Sequence, residues 1–125
     1  MNEHTIQLNT PLKSQAGNTY YRVKLLTKDL IVTINPRWKA AHEQAILQKK
    51  PNKQPTFMLK ADGNGQEYDG MGAAWVMIRK EGKCHQGNFR IDGNNYFVDI
   101  RKNQDGTSFT MVLTLKEDGI SLDDL

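Results

Sequence analysis

Along most of this chain apolar and polar residues alternate one for one, the period that sends successive side chains to opposite faces of a strand. In TYYRVKLLTKDLIVTI, residues 19–34, Tyr21, Val23 and Leu25 share one side while Tyr20, Arg22 and Lys24 share the other. TKD then supplies polar turn chemistry before LIVTI resumes in β-branched residues, so the segment predicts a hairpin. The period changes once. In NPRWKAAHEQAILQKK the apolar Trp38, Ala41, Ala45 and Ile46 fall into one stripe at helical spacing. Asn35 is a good N-cap, Pro36 fits the first helical position, and Lys49 and Lys50 suit the negative end of the helix dipole. One amphipathic helix is predicted over 36–49.

KKPNKQP breaks the helix, TFMLKA reads as a short strand, and DGNGQEYDG is a polar, glycine-rich connection. Residues 73–80 form the next strand and KEGK the next turn. GNFRI and YFVDIRK flank DGNN, a strong hairpin signal because Gly and Asn tolerate positive φ. After the NQDG turn, TSFTMVLTL places Phe109, Met111, Leu113 and Leu115 on one side and Ser108, Thr110 and Thr114 on the other. Short strands at even spacing with turns between them predict a mainly β domain: an antiparallel sheet curled into a small barrel or sandwich, of which an OB-like barrel is one form, with one amphipathic helix. The domain is expected to span 1–116, followed by an acidic tail at 117–125. Within YDGMGAAWVMIRKEGK, residues 68–83, the glycines are expected to let a strand bend. Ala73 and Ala74 are expected to leave room for a buried Trp75.

Composition adds limits. At 125 residues, 38% hydrophobic and 25% charged, the chain matches one ordinary domain able to bury a core. No apolar run approaches the roughly 20 residues that cross a bilayer, and MNEHTIQLNT has neither the basic nor the apolar region of a secretory signal. Cys84 is the single cysteine, so no internal disulfide forms and a reducing, cytoplasmic setting is expected. The net charge is +3, but its distribution says more. Residues 20–60 carry nine lysines and arginines against two acids, whereas the last nine residues, EDGISLDDL, carry four acids and no base.

Most catalytic constellations fail on spacing. DGNGQEYDG offers Asp62, Asn64 and Gln66 as calcium ligands, yet Glu67 occupies the required glycine and Ala73 the bidentate acid. The glycines at 63, 65, 70 and 72 do not make a phosphate loop, and no Gly-Lys-Ser/Thr ending follows. Cys84 and His85 are adjacent, so on a strand they face opposite ways and cannot act as nucleophile and base. His4 and His42 have no partners at ligand spacing. No metal, cofactor or catalytic residue is therefore assigned, and a non-enzymatic protein is expected. What remains is basic and aromatic: Tyr20, Arg22 and Lys24 on the polar side of the first hairpin, Arg90 and Arg101 on polar sides of the 88–101 hairpin, and Lys102 beside it. Arginines for phosphates and an aromatic ring for base stacking are how small barrels take single strands.

FMLKA, then GAAW, then a glycine turn and an alternating strand ending in GTSFTMVLTL resemble a family of small bacterial proteins encoded on plasmids and conjugative elements. The likeness covers about residues 55–115, and its specific piece is the Gly-Ala-Ala-Trp core at 72–75. The chain departs from that pattern in its helix at 36–49 and its acidic end. The resemblance implies a mobile-element setting and a β-rich fold, and carries no catalytic residue with it. The expected function is that of a mobile-element or phage accessory protein binding nucleic acid, single-stranded before double-stranded, through a basic and aromatic sheet face. The alternative is a protein-interaction module, such as a small inhibitor of a host defence or replication complex. The acidic end has two expected uses: screening the basic face, or docking into a partner protein.

Overall fold

The computed structural model describes residues 3–25, 28–49, 52–61, 70–80, 82–91 and 93–116. Its strands are β1 (Glu3–Leu8), β2 (Leu12–Lys13), β3 (Thr19–Leu25), β4 (Lys28–Ile34), β5 (Phe57–Ala61), β6 (Gly70–Arg79), β7 (Gly82–Ile91), β8 (Asn94–Lys102) and β9 (Phe109–Leu115). Among the described residues there is one helix, α1 (Pro36–Gln48), between β4 and β5. All nine strands form one antiparallel sheet in the order β1-β9-β8-β7-β6-β5-β4-β3-β2, curled into a half-barrel. Consecutive strands from β2 to β9 are neighbours, so the sheet is a meander that β1 extends beside β9.

The alternation explains the curl. Leu30, Val32, Phe57, Leu59, Phe89, Val98, Ile100, Met111 and Leu113 all point to the concave side and are buried. A flat sheet would leave that face in water; curling lets the two ends of the meander cover each other. Tyr21 on β3 meets Phe109 on β9 edge to face at 6.3 Å, and Phe109 meets Phe57 on β5 at 5.4 Å. Each of these buried side chains is worth roughly 1.5–3 kcal/mol relative to exposure. Strand β1 was not anticipated from sequence. Its inward residues His4, Ile6 and Leu8 alternate, but only Leu8 is fully buried.

The glycine-rich stretch packs differently from expectation. Trp75 is not buried: it points outward and is 40% exposed, with its indole N–H donating to the Lys53 carbonyl at 3.1 Å. The inward residues of β6 are Gly70, Gly72 and Ala74, and the side chain they accommodate is Phe89, which stands opposite Gly72. A Cβ on Gly72 would lie 2.4 Å from the Asn88 carbonyl oxygen and 2.7 Å from the Phe89 Cα. A Cβ on Gly87, inward on β7, would lie 1.8 Å from the Ala73 carbonyl oxygen. The small residues thus let the β6–β7 ladder coil tightly around a phenylalanine.

Helix α1 begins as the sequence predicts. The Asn35 side chain accepts from the Arg37 N–H at 3.1 Å, Pro36 opens the first turn, and Lys49 ends the helix at φ 54°. Its apolar stripe does not enter the core. No residue of α1 is buried, and Ile46 and Leu47 are 63% and 79% exposed. The helix is attached at its N-terminal end instead: the Asn35 side-chain amide donates to the Pro55 carbonyl, and the Asn52 side-chain amide donates to the Trp38 carbonyl in the first turn. No helix of the described residues is long and apolar enough to cross a membrane. The acidic end at 117–125 and most of DGNGQEYDG lie outside the described residues.

Candidate nucleic-acid interface

The curl divides the six residues singled out from sequence among three places. Tyr20, Arg22 and Lys24 alternate outward on β3, as read. Arg22 and Lys24 both contact the Asp29 carboxylate of the neighbouring strand, at 3.2 and 2.6 Å. The hydrogen bond from Lys24, together with the charges of Lys24 and Arg22, holds the Asp29 carboxyl below its ordinary value. Arg90 on β7 and Arg101 on β8 point outward on the opposite half of the sheet. From β3 to β6 there are three strand spacings of about 4.8 Å along a bending surface, so the two outer regions face different directions. Lys102 belongs to neither, because it turns inward at one mouth of the half-barrel, with its ammonium 5.8 Å from the Phe109 ring centroid.

Registers define the outer wall around Arg90 and Arg101. Lys60, Met71, Arg90 and Asn95 stand in one row across β5 to β8. The next row runs Met58, Ala73, Asn88, Phe97 and Thr114, and the third Trp75, Gln86, Asp99 and Val112. Two large rings therefore sit on this wall: Trp75 at 40% exposure and Phe97 at 41%. They are separated by two strands and one same-face step, roughly 12 Å. Arg90 is the diagonal neighbour of Phe97, a relation that puts side chains roughly 7–8 Å apart. Sequence reading missed both rings. Trp75 was assigned to packing, and Phe97 lies among apolar residues that mark both faces of β8. The signal that could have found Phe97 is its parity with Arg101 in YFVDIRK.

The wall is held by its own polar chain. Arg79 donates to the Gln86 side-chain oxygen Oε1 at 2.8 Å, the Gln86 side-chain amide donates to Asp99 at 3.0 Å, and Arg101 donates to both Asp99 oxygens at 2.9 and 3.2 Å. Desolvation pushes the Asp99 carboxyl upward, but hydrogen bonds from Arg101 and Gln86 and the Arg101 charge bring it below its ordinary value. Asp99 therefore stays ionised and orients the Arg101 guanidinium along the wall. Lys116 lies 5.9 Å from the Phe97 ring centroid and donates to the Asn88 side-chain oxygen, bringing a further cation to the same ring. Beside Phe97 and Arg101 a groove of about 450 Å³ runs over the outward side chains of β9, floored by Thr110, Val112 and Thr114.

Chemically, this arrangement offers two π faces, guanidinium and ammonium groups around them, and a shallow channel. Cys84 and His85 alternate as expected on β7: the thiol is buried, and the imidazole faces the mouth of the half-barrel. Among the described residues no three of His, Cys, Asp and Glu cluster as metal ligands. No family model, curated protein or solved structure matches this chain.

Proposed function

We propose that this chain is a non-enzymatic nucleic-acid-binding protein that takes a single strand on the outer wall of β6–β8. The observation that carries the reading is the exposure of Trp75 and Phe97 on one wall, flanked by Arg90, Arg101 and Lys116. Unpaired bases can reach such rings, and base–aromatic stacking contributes ~1–3 kcal/mol per base whatever the base. Duplex bases are already stacked on one another, which is why a single strand is preferred. Arg90 and Arg101 carry over from the set read in sequence. Tyr20, Arg22 and Lys24 stand apart on another part of the curled sheet, and Lys102 lines the mouth. The resemblance at 72–75 supports the setting of a cytoplasmic accessory protein of a mobile element or phage.

The test uses a Trp38→Phe chain, in which Trp75 is the remaining tryptophan, titrated with a mixed-sequence single-stranded oligonucleotide at low salt. Quenching of Trp75 is expected, with an affinity that falls steeply as salt rises because phosphate contacts release counterions. Arg90→Glu/Arg101→Glu should weaken binding and flatten the salt slope. No quenching at low salt, or an unchanged affinity in the double variant, overturns the reading. A second reading has its own observation: Met71 and Met77 are exposed beside Trp75, and Ile78 is 77% exposed at the end of the same strand. Such a patch also suits a protein partner, for instance a component of a defence or replication complex that this chain would inhibit. Binding that survives raised salt identifies that class.

A further inference from the structure

The mouth of the half-barrel that receives Lys102 is a different surface with a different chemistry. A pocket of about 310 Å³ opens there, inside the range of small-molecule sites. Its walls are apolar: Ile34 from β4, Trp38 from the first turn of α1, Phe57 from β5 and Phe109 from β9. Its remaining lining is Thr56, His85, Lys83 and Lys102.

Both lysines line this pocket. The β7–β8 ladder ends where His85 pairs with Ile100, and Lys83 and Lys102 lie two residues beyond that pair on their strands, on the same face. Like charges brought to one mouth repel. Neither ammonium is ion-paired with a carboxylate among the described residues, and the nearest described acid on these strands, Asp99, is on the outer wall holding Arg101. A repelling pair is stabilised by an anion between its members, and the pocket lies where that anion would sit.

One further group fits an anion with an apolar body, and His85 completes the wall. The Trp38 indole N–H is buried without a hydrogen-bond partner among the described residues, although buried donors are almost always satisfied. His85 adds no charge. Its Nδ1 lies 2.7 Å from the Thr56 hydroxyl, which donates to the Ala74 carbonyl at 3.1 Å and so is left to accept from Nδ1–H, while burial and the nearby lysine charges lower the imidazole pKa to about 4 and keep the ring neutral near pH 7. The Phe57 ring closes on the imidazole edge to face at 4.9 Å. The hydrogen-bonded ring is thereby fixed as part of the wall, and Lys83 and Lys102 are left as the charged groups of the site.

We infer that this mouth binds a small amphipathic anion, an aromatic or short aliphatic body bearing one carboxylate. The body would lie among Ile34, Trp38, Phe57 and Phe109, and the carboxylate between Lys83 and Lys102. The site is independent of the outer wall, and neither reading needs the other.

The experiment titrates the full chain with phenylacetate and, separately, with the neutral phenylacetamide, following backbone and side-chain NMR shifts. Saturable shifts at Thr56, Lys83, His85, Lys102 and Phe109 are expected with the acid, and binding at least ten-fold weaker with the amide. Lys83→Gln/Lys102→Gln should lose ten-fold or more in affinity for the acid while its spectrum and melting temperature stay those of a folded chain. The same variant should keep its affinity for a single-stranded oligonucleotide, which separates this site from the outer wall. Equal binding of acid and amide, shifts confined to the outer wall, or no saturation at millimolar acid would each overturn the inference.

Discussion

The two faces of the β6–β8 ladder are made by the same three strands and obey opposite rules. Inward, Gly72, Gly87, Ala74, Phe89 and Val98 fit so closely that a single added Cβ meets backbone atoms. Outward, Trp75, Phe97, Met71 and Arg90 stand with room around them. On β6 itself the bulky Trp75 and Met71 are where space is free, and Gly70, Gly72 and Ala74 are where Phe89 leaves none. Large outward rings are not needed to hold the sheet, because the core is complete without them. The difference teaches that size and apolarity do not by themselves mark a core residue here: the inner face carries stability and the outer face is free to recognise.

Substitutions that respect one face and violate the other test that division. The largest effect is expected for Phe89→Ala, which should lose roughly 3–5 kcal/mol in urea unfolding by leaving a cavity beneath Gly70 and Gly72. Phe97→Ala, the same deletion one strand away on the outer face, should change stability by less than about 1 kcal/mol. Similar losses for the two would erase the distinction.

Acid should attack the inner side next. Burial first, then the charges of Lys83 and Lys102, lower His85 from its ordinary 6.5 to about 4. Between those values the unfolded chain binds a proton that the folded chain refuses, so stability rises with pH across this window and is lost as pH falls through it. At about 1.4 kcal/mol per pH unit the gap sets an upper bound of about 3.5 kcal/mol, which solvent screening of this partly exposed ring reduces. His85→Gln should flatten the slope of unfolding free energy between pH 6.5 and 4, and an unchanged slope would place the sensitivity elsewhere. Asp105 acts only at lower pH. Hydrogen bonds from the Ser108 side chain and the Ser108 and Thr107 backbone hold its carboxyl below the usual range, so its contribution is lost only below about pH 4.

Overpacking comes third. Gly87→Ala should cost roughly 1–3 kcal/mol, because the added methyl group meets the Ala73 carbonyl rather than a flexible side chain that could move. On the outer face the change appears in binding instead. Trp75→Ala should weaken single-strand affinity by about ten-fold or more, as loss of one stacked base predicts, with little change in melting temperature. The smallest effect is expected on the β3 wall, where Arg22→Gln/Lys24→Gln should leave both oligonucleotide affinity and stability within about 1 kcal/mol, since exposed ion pairs contribute little. A large affinity loss there would move the interface to β3.

Where alternation was clean, the chain could be read directly. Residues 19–34 form the expected hairpin, the strands expected at 96–102 and 107–115 appear as β8 (Asn94–Lys102) and β9 (Phe109–Leu115), and Asn35-Pro36 opens the helix. These features depend on neighbours in sequence: a side-chain period, a capping oxygen, a residue that tolerates positive φ. Strand β1 was missed because its apolar residues, Ile6 and Leu8, are few and its pairing partner, β9, lies a hundred residues away.

The sequence by itself determined a mainly antiparallel β chain with one helix, a single cysteine facing away from its neighbouring histidine, and a basic, aromatic character. Tertiary structure alone decided which face is which on β6, where Val76, Met77 and Ile78 are apolar on both sides and carry no directional information. It fixed Trp75 outward by pairing Gly72 with Leu59 on one side and Phe89 on the other, so that the core was filled from adjacent strands. It also separated Arg22 from Arg90 and turned Lys102 into the mouth that Lys83 also lines, because sheet curvature and register are properties of all the strands together. Local periodicity gives each strand two faces; only closure of the sheet assigns one of them to water.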